Sequence, residues 1–388
     1  MTPDEVSPTP RRTPIVARTV ARTVGLVVAP TLGLVVALTL GLVATGIGSG
    51  IAVRHAAAGS WSILTAGGSA VAMLGLVLTG IGVRGLWRGT RRWWRLLALP
   101  GTLAALGLLY ACVIAAMATV VPPTPLGAGG PHQLGPAAHE VRIETADGAP
   151  LAAWYLPSRT GAAVVLRHGS GSTRTATLPQ AAVLARHGYG VLMIDARGHG
   201  NSGGRGMDLG WFGERDTAAA VDFLLARGDV RDGRVGLVGL SMGGEEAIGA
   251  AGADPRVRVV VAEGATARTA ADKDAWLPGG VPGAVQRGLD RLTDVAVRSM
   301  TPAPRPPTLA DAVRRAGRTP FLLITAGTRP DEQRAAEVLR RLAPERVQVW
   351  TVAGAEHTAG LRAAPDEWER RVIAALDEAL EPATLPAP

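Results

Sequence analysis

The 388-residue chain contains a single cysteine. That excludes an intrachain disulfide and any cysteine-based metal site, and Cys112 lies inside an apolar run, where a thiol packs as a small hydrophobe. Acidic residues are nearly absent from the first third. Only Asp4 and Glu5 precede residue 121, against ten arginines, so this part carries the whole net charge of +8 and the remainder balances to zero. A nucleic-acid binder would gather such an excess on one folded face beside groove-reading or stacking groups. Here the arginines flank apolar runs, and no nucleic-acid partner is expected. Asp, Glu, Lys and Arg are missing altogether between Arg22 and Arg54, between His55 and Arg84, and between Arg95 and Glu140.

Each of those gaps exceeds the ~20 apolar residues that cross a bilayer. They predict three spanning helices, near Val24 to Ile47, Ile63 to Val83 and Leu96 to Val121, the last stopped by Pro122 and Pro123. Trp61, Trp87, Trp93 and Trp94 fall at the edges of the runs, where amphipathic rings prefer the headgroup layer, while Tyr110 is internal. The spans hold no charge that would serve a transport path, and glycines such as Gly33, Gly41 and Gly46 suit close helix packing. Arg11, Arg12, Arg18 and Arg22 precede the first span, and Arg84, Arg88, Arg91, Arg92 and Arg95 separate the second from the third. Only Arg54 and His55 lie between the first two. Positive loops stay cytoplasmic, so the expected product is a multi-pass cell-membrane protein with its N-terminus inside and its C-terminal domain outside. The expected divisions are a tail over 1–22, a three-helix anchor over 23–121, a Pro/Gly linker over 122–137 and a folded domain over 138–388.

Within that domain, short β-branched runs alternate with amphipathic helical stretches, the pattern of an α/β domain with a mostly parallel sheet. Eight strands are expected: 140–144, 152–156, 162–167, 190–194, 234–238, 257–262, 321–325 and 347–352. The first two are joined in a hairpin at Asp147 and Gly148. Helices are expected over 178–187, 214–227, 242–251, 331–342 and 366–380. Residues 265–318, rich in Pro, Gly and Arg, interrupt the rhythm just after a strand, and such an insertion caps a site.

The chemistry is carried by Gly239, Leu240, Ser241, Met242 and Gly243, a G-x-S-x-G turn set between an apolar strand and a helical pattern. In that setting the serine is held in a strained turn as a nucleophile, and the flanking glycines let neighbouring backbone approach. The following helix aims its N-terminal N–H groups at an oxyanion. A second glycine-bearing loop, His168 to Ser172, follows another strand. It can offer the Ser170 N–H to the same oxyanion as the Met242 N–H, with His168 ordering the loop rather than acting as base. The base expected last in the chain is His357, the only histidine after Ser241. Three carboxylates compete to orient it: Asp331 first, Glu332 next, and Glu263 at the end of the preceding strand. Asp331 could equally cap the helix that starts there.

Taken together, HGSGS at His168, IDARGHGNSGG from Ile194 to Gly204, GLSMGG from Gly239 to Gly244 and the late His357 resemble the α/β-hydrolase superfamily. The similarity points to the subgroup of bacterial esterases, monoacylglycerol-lipase-like enzymes and serine aminopeptidase-like hydrolases. It covers about residues 138–380 and does not account for the spans. The resemblance implies an eight-stranded, mostly parallel sheet flanked by helices with a cap, and a structural rather than catalytic role for His199. It departs at the acid, since relatives carry aspartate where this chain has Pro330. The implied activity is hydrolysis of carboxylic esters or thioesters, on a small-molecule or lipid substrate, by an acyl-enzyme route that needs no cofactor or metal. A peptidase or amidase of the same fold is the runner-up, and an inactive, hydrolase-like membrane sensor or interaction protein the reading from another class.

Overall fold

The computed structural model describes residues 15–59, 61–89, 98–206 and 208–380. Arg11, Arg12, Arg91, Arg92, Arg95, Trp93, Trp94 and Leu96 lie outside the described residues, and of Arg18 and Arg22 only the helical backbone is described. Three apolar helices open the chain: α1 (Ile15–Ala57), α2 (Ile63–Gly89) and α3 (Ala98–Thr119). All three are long and apolar enough to cross a membrane. Helix α1 continues about ten residues beyond the expected end at Ile47, because nothing after that residue breaks it until the turn at Ala58 and Gly59.

Close contact between α1 and α2 depends on absent side chains. A Cβ on Gly41 would fall 2.5 Å from the backbone nitrogen of Thr79, and one on Gly75 would fall 2.4 Å from that of Thr45. Cys112 is buried where α3 meets Gly46 of α1, in the packing role expected of it. The outward faces keep Leu32, Leu40, Leu99 and Leu103 exposed, as a surface covered by lipid would.

The rest of the described chain is built on one eight-stranded sheet: β1 (His139–Glu144), β2 (Pro150–Leu156), β3 (Ala163–Arg167), β4 (Gly190–Ile194), β5 (Val235–Leu240), β6 (Val257–Glu263), β7 (Phe321–Ala326) and β8 (Val347–Val352). Their spatial order is β1-β2-β4-β3-β5-β6-β7-β8. The hairpin β1–β2 is antiparallel, β2 pairs antiparallel with β4, and every later pairing is parallel. Side chains alternate across the central strands. Ala163, Val165, Val235 and Leu237 enter one core with α5 (Gly213–Leu225), α6 (Met242–Ala253), α9 (Leu309–Arg315) and α10 (Pro330–Leu342). Val164, Leu166 and Val238 enter the other with α4 (Leu178–Arg186) and α12 (Pro365–Leu380). Both faces are thus covered, as parallel strands without a polar face require.

The segment between β6 and β7 folds into α7 (Ala270–Asp274), α8 (Gly280–Met300) and α9. Helix α8 lies against α3. Residues 122–137 are tied to the sheet domain at several points. The N–H of Thr124 donates to the Gly198 carbonyl at 3.2 Å, that of Gly200 to the Thr124 carbonyl at 2.7 Å, and that of Gly127 to Thr173 Oγ1 at 3.2 Å.

Candidate active site

Strand β5 ends at Leu240 and α6 begins at Met242, so Ser241 is the whole connection. It sits at φ 54°, ψ −121°, a conformation that non-glycine residues rarely adopt and that the surrounding backbone must enforce. Glycines supply the room. A Cβ on Gly239 would lie 2.2 Å from the Gly243 carbonyl oxygen, and one on Gly243 would lie 2.6 Å from the carbonyl oxygens of Arg167 and His168. The Ser241 N–H donates to the Glu263 carbonyl at 2.7 Å, which pins the turn to β6.

His357 lies in the turn between β8 and the short helix α11 (Gly360–Ala363). Its Nε2 is 2.9 Å from Ser241 Oγ and its Nδ1 is 2.7 Å from Glu332 Oε1. A carboxylate only accepts, so Nδ1 carries the proton and Nε2 is free to accept from the serine hydroxyl. The Glu332 hydrogen bond raises the His357 pKa above its ordinary value, against the opposing effect of burial. Glu332 is itself fully buried, and its second oxygen accepts from the Ala326 N–H at 2.8 Å.

The expectation that Asp331 orients the imidazole does not match this geometry. Asp331 turns away and pairs with Arg329 at 2.8 Å on the exposed side of α10, and that guanidinium holds its carboxyl below the usual range. One residue along a helix is a rotation of about 100°. On α10 the buried positions are Glu332, Ala335, Ala336 and Leu339, and Asp331 falls off that stripe. Glu263 also misses the histidine. Its oxygens accept from the Gly360 N–H at 2.6 Å and from Trp368 Nε1 at 3.0 Å, so it braces the loop that carries His357, and burial raises its pKa.

Ser170 and Met242 line one cavity together with Ser241. A Cβ on Gly169 would come within 3.2 Å of Ser241 Cβ, so the loop after β3 passes directly over Ser241. No hydrogen bond joins His168 to Ser241. Its Nδ1 donates to the Gly169 carbonyl at 2.8 Å, its Nε2 accepts from the Ala196 N–H at 2.9 Å, and burial lowers its pKa to about 3. It is a neutral strut between two loops. His199 is equally buried, lies with its ring tilted 53° to that of His168 at a centroid distance of 5.1 Å, and donates from Nδ1 to the Arg197 carbonyl at 2.8 Å.

Two hollows meet at Ser241. One, of about 260 Å³, runs beneath the insertion between Leu209, Met242, Arg268, Thr293 and Val297. The other, of about 630 Å³, opens on the far side past His357, Gln180 and Leu361.

The sequence profile of the family described as X-Pro dipeptidyl-peptidase (S15 family) matches residues 144–376. The chain belongs to this family. Its sheet domain has the α/β-hydrolase fold. An uncharacterized protein of Mycobacterium tuberculosis (strain ATCC 25618 / H37Rv) is 33% identical over 148 residues, covering 37% of this chain and 52% of that protein. The thiohydrolase aneE of Aspergillus aculeatus is 36% identical over 127 residues, covering 31% and 40%. The S15-family chain thus spans about half the length of the curated relatives it matches. Among solved structures, the Pyrococcus furiosus esterase Pf2001 superposes with a TM-score of 0.54 at 25% identity, covering 68% of this chain and 98% of that one.

Proposed function

We propose that this S15-family chain is a membrane-anchored serine hydrolase that cleaves carboxylic esters or thioesters through an acyl-enzyme on Ser241. The observation that carries the proposal is the unbroken line Ser241 Oγ, His357, Glu332, at 2.9 and 2.7 Å. His357 Nε2 takes the serine proton as Oγ attacks the carbonyl, and the buried Glu332 carboxylate stabilises the imidazolium. The N–H groups of Met242 and Ser170 receive the oxyanion, Met242 from the N-terminus of α6, where the helix dipole favours negative charge. His357 then returns its proton to the departing alkoxide or thiolate. Water repeats the sequence and frees the acid. Neither metal nor cofactor enters any of these steps.

Two similar proteins, the Pyrococcus furiosus esterase and the thiohydrolase of Aspergillus aculeatus, favour this substrate class. The family's own description names a peptidase, and cleavage of amides by the same residues is therefore the second reading. The full-length protein in detergent is to be assayed against p-nitrophenyl esters of increasing chain length and against aminoacyl anilides. Turnover of esters alone removes the peptidase alternative, and turnover of anilides alone removes the esterase. Failure of a fluorophosphonate probe to label the protein would leave the inactive sensor.

The three apolar helices support the anchor, and the arginine distribution supports an orientation with the N-terminus inside and residues 138–388 outside. Helices α1 and α3 run in the same direction, since Gly46 meets Cys112 and Gly50 meets Ala116. The C-terminal end of α3 is bound to the sheet domain, where Arg205 Nε donates to the Thr119 carbonyl at 2.9 Å.

A further inference from the structure

Outside α1–α3 and the turn joining α1 to α2, the exposed large apolar side chains among the described residues number three: Val281, Val285 and Val295, at 76%, 56% and 55% exposure. All three belong to α8. At about 100° per residue, Val281, Val285, Leu289, Leu292, Val295 and Ala296 fall within one arc, broken only by small residues. A surface domain scatters its exposed apolar residues singly, so their concentration on one face of one helix calls for a covering.

The neighbouring element shows what covers it. Leu289 Cδ2 lies 3.4 Å from where a Cβ on Gly107 of α3 would stand, and Val297 shares a buried cluster with Ala115 of α3. Both contacts advance by eight residues, so α8 and α3 run alongside each other in the same direction. The exposed face of α8 therefore continues the exposed face of α3, which carries Leu99, Leu103, Leu106 and Ile114. The charges of α8 suit the same setting because each is satisfied within the protein. Asp290 pairs with Lys273 at 2.9 Å, Arg291 with Asp274 at 2.6 Å and Asp294 with Arg298 at 3.2 Å, while Arg287 donates to the Pro278 carbonyl at 3.2 Å. Charges paired in this way are tolerated near hydrocarbon. The opposite face of α8 supplies Thr293 and Val297 to the 260 Å³ hollow at Ser241.

We propose that the apolar face of α8 is seated in the bilayer alongside α3, and that the Ser241 site therefore draws its substrate from there, as the ester of a membrane amphiphile. One face of the helix meets lipid while the other walls the acyl-enzyme site. The second part of the proposal rests on the serine-hydrolase reading above. The first part does not, and this separates their tests.

Full-length protein carrying Cys112→Ala is reconstituted in phosphatidylcholine vesicles with a fluorophore at Val285→Cys, or at Arg341→Cys on α10 as an aqueous control. Quenching of position 285 by doxyl-labelled phosphatidylcholine and of position 341 by iodide is expected. Iodide quenching at 285 without lipid quenching overturns the bilayer contact, as does protection from both quenchers, which would indicate a second copy of the chain on this face. In parallel, the combined Val281→Asp and Val285→Asp variant should lose at least tenfold on vesicle-borne 1-oleoylglycerol while staying within twofold on soluble p-nitrophenyl butyrate. Equal rates of the variant and the unsubstituted chain on the vesicle-borne ester, or butyrate turnover with none of 1-oleoylglycerol, overturn the substrate class. If the double variant loses both activities, Val285→Ser is measured in its place under the same two criteria. No turnover of butyrate by the unsubstituted chain would defeat the hydrolase reading alone, because quenching at position 285 needs no turnover.

Discussion

Substituting Glu332 by Gln keeps the shape of the buried acid and removes its charge. Both carboxylate oxygens accept, one from His357 Nδ1 at 2.7 Å and one from the Ala326 N–H at 2.8 Å, whereas an amide has a single acceptor oxygen. The Ala326 N–H is fixed by β7, so the amide oxygen stays with it and the NH₂ turns to Nδ1. That orientation favours the imidazole tautomer with its proton on Nε2, facing Ser241, where it cannot act as a base. A hydrogen bond to a charged group contributes ~1.5–3 kcal/mol, or about 10- to 100-fold in rate. Inverting the tautomer adds to this loss, and the equivalent change in the serine-protease template costs ~10⁴-fold. The expected fall in kcat/KM for p-nitrophenyl butyrate is therefore between about 10²- and 10⁴-fold. Asp331→Asn disrupts only an exposed pair with Arg329, the kind worth ~0–1 kcal/mol, and should cost less than about fivefold. The two variants are compared side by side, with circular dichroism as the check on folding. Activity of Glu332→Gln within tenfold of the unsubstituted protein, or a greater loss in Asp331→Asn, would refute the assignment of the acid.

Because the Glu332 hydrogen bond raises the His357 pKa and catalysis needs the neutral imidazole, activity should fall as pH drops through a midpoint above 6.5. A kcat/KM profile from pH 5 to 9 with its acid limb at or below 6.5 would contradict that sign. Glu263→Gln presents an NH₂ to one of two fixed donors, Gly360 N–H or Trp368 Nε1, and leaves it unsatisfied at ~1–3 kcal/mol, so the melting temperature should drop by several degrees while esterase activity falls less than tenfold. A reporter active only outside the cytoplasm should work when fused after Pro388, and activity of a cytoplasmic reporter alone would reverse the orientation.

Much of the sheet domain can be read in the chain because its signals are local. Strands β4 and β8 coincide with the expected 190–194 and 347–352, and the serine turn stands where strand and helix patterns meet. The carboxylate that meets His357 was legible too, in a signal that spacing from the glycine of its loop obscured. Glu332 stands three, four and seven residues before Ala335, Ala336 and Leu339, the apolar stripe of α10, and that period places its carboxylate inward and Asp331 outward. The bracing role of Glu263 depends on Gly360 and Trp368, about a hundred residues away, and no local pattern announces it. Helix α8 is a third kind of case. Its apolar arc is regular, but Pro282 and several glycines hide it in an insertion dense with turn-forming residues. Only its contact with α3 shows which way the arc faces.

The central claim, that Ser241 is the nucleophile, is tested most directly by treating the full-length protein with a fluorophosphonate and mapping the adduct by peptide mass spectrometry. A single adduct on Ser241, absent from Ser241→Ala although that variant folds, is the predicted result. An adduct on another residue, or undiminished ester hydrolysis by Ser241→Ala, would contradict it.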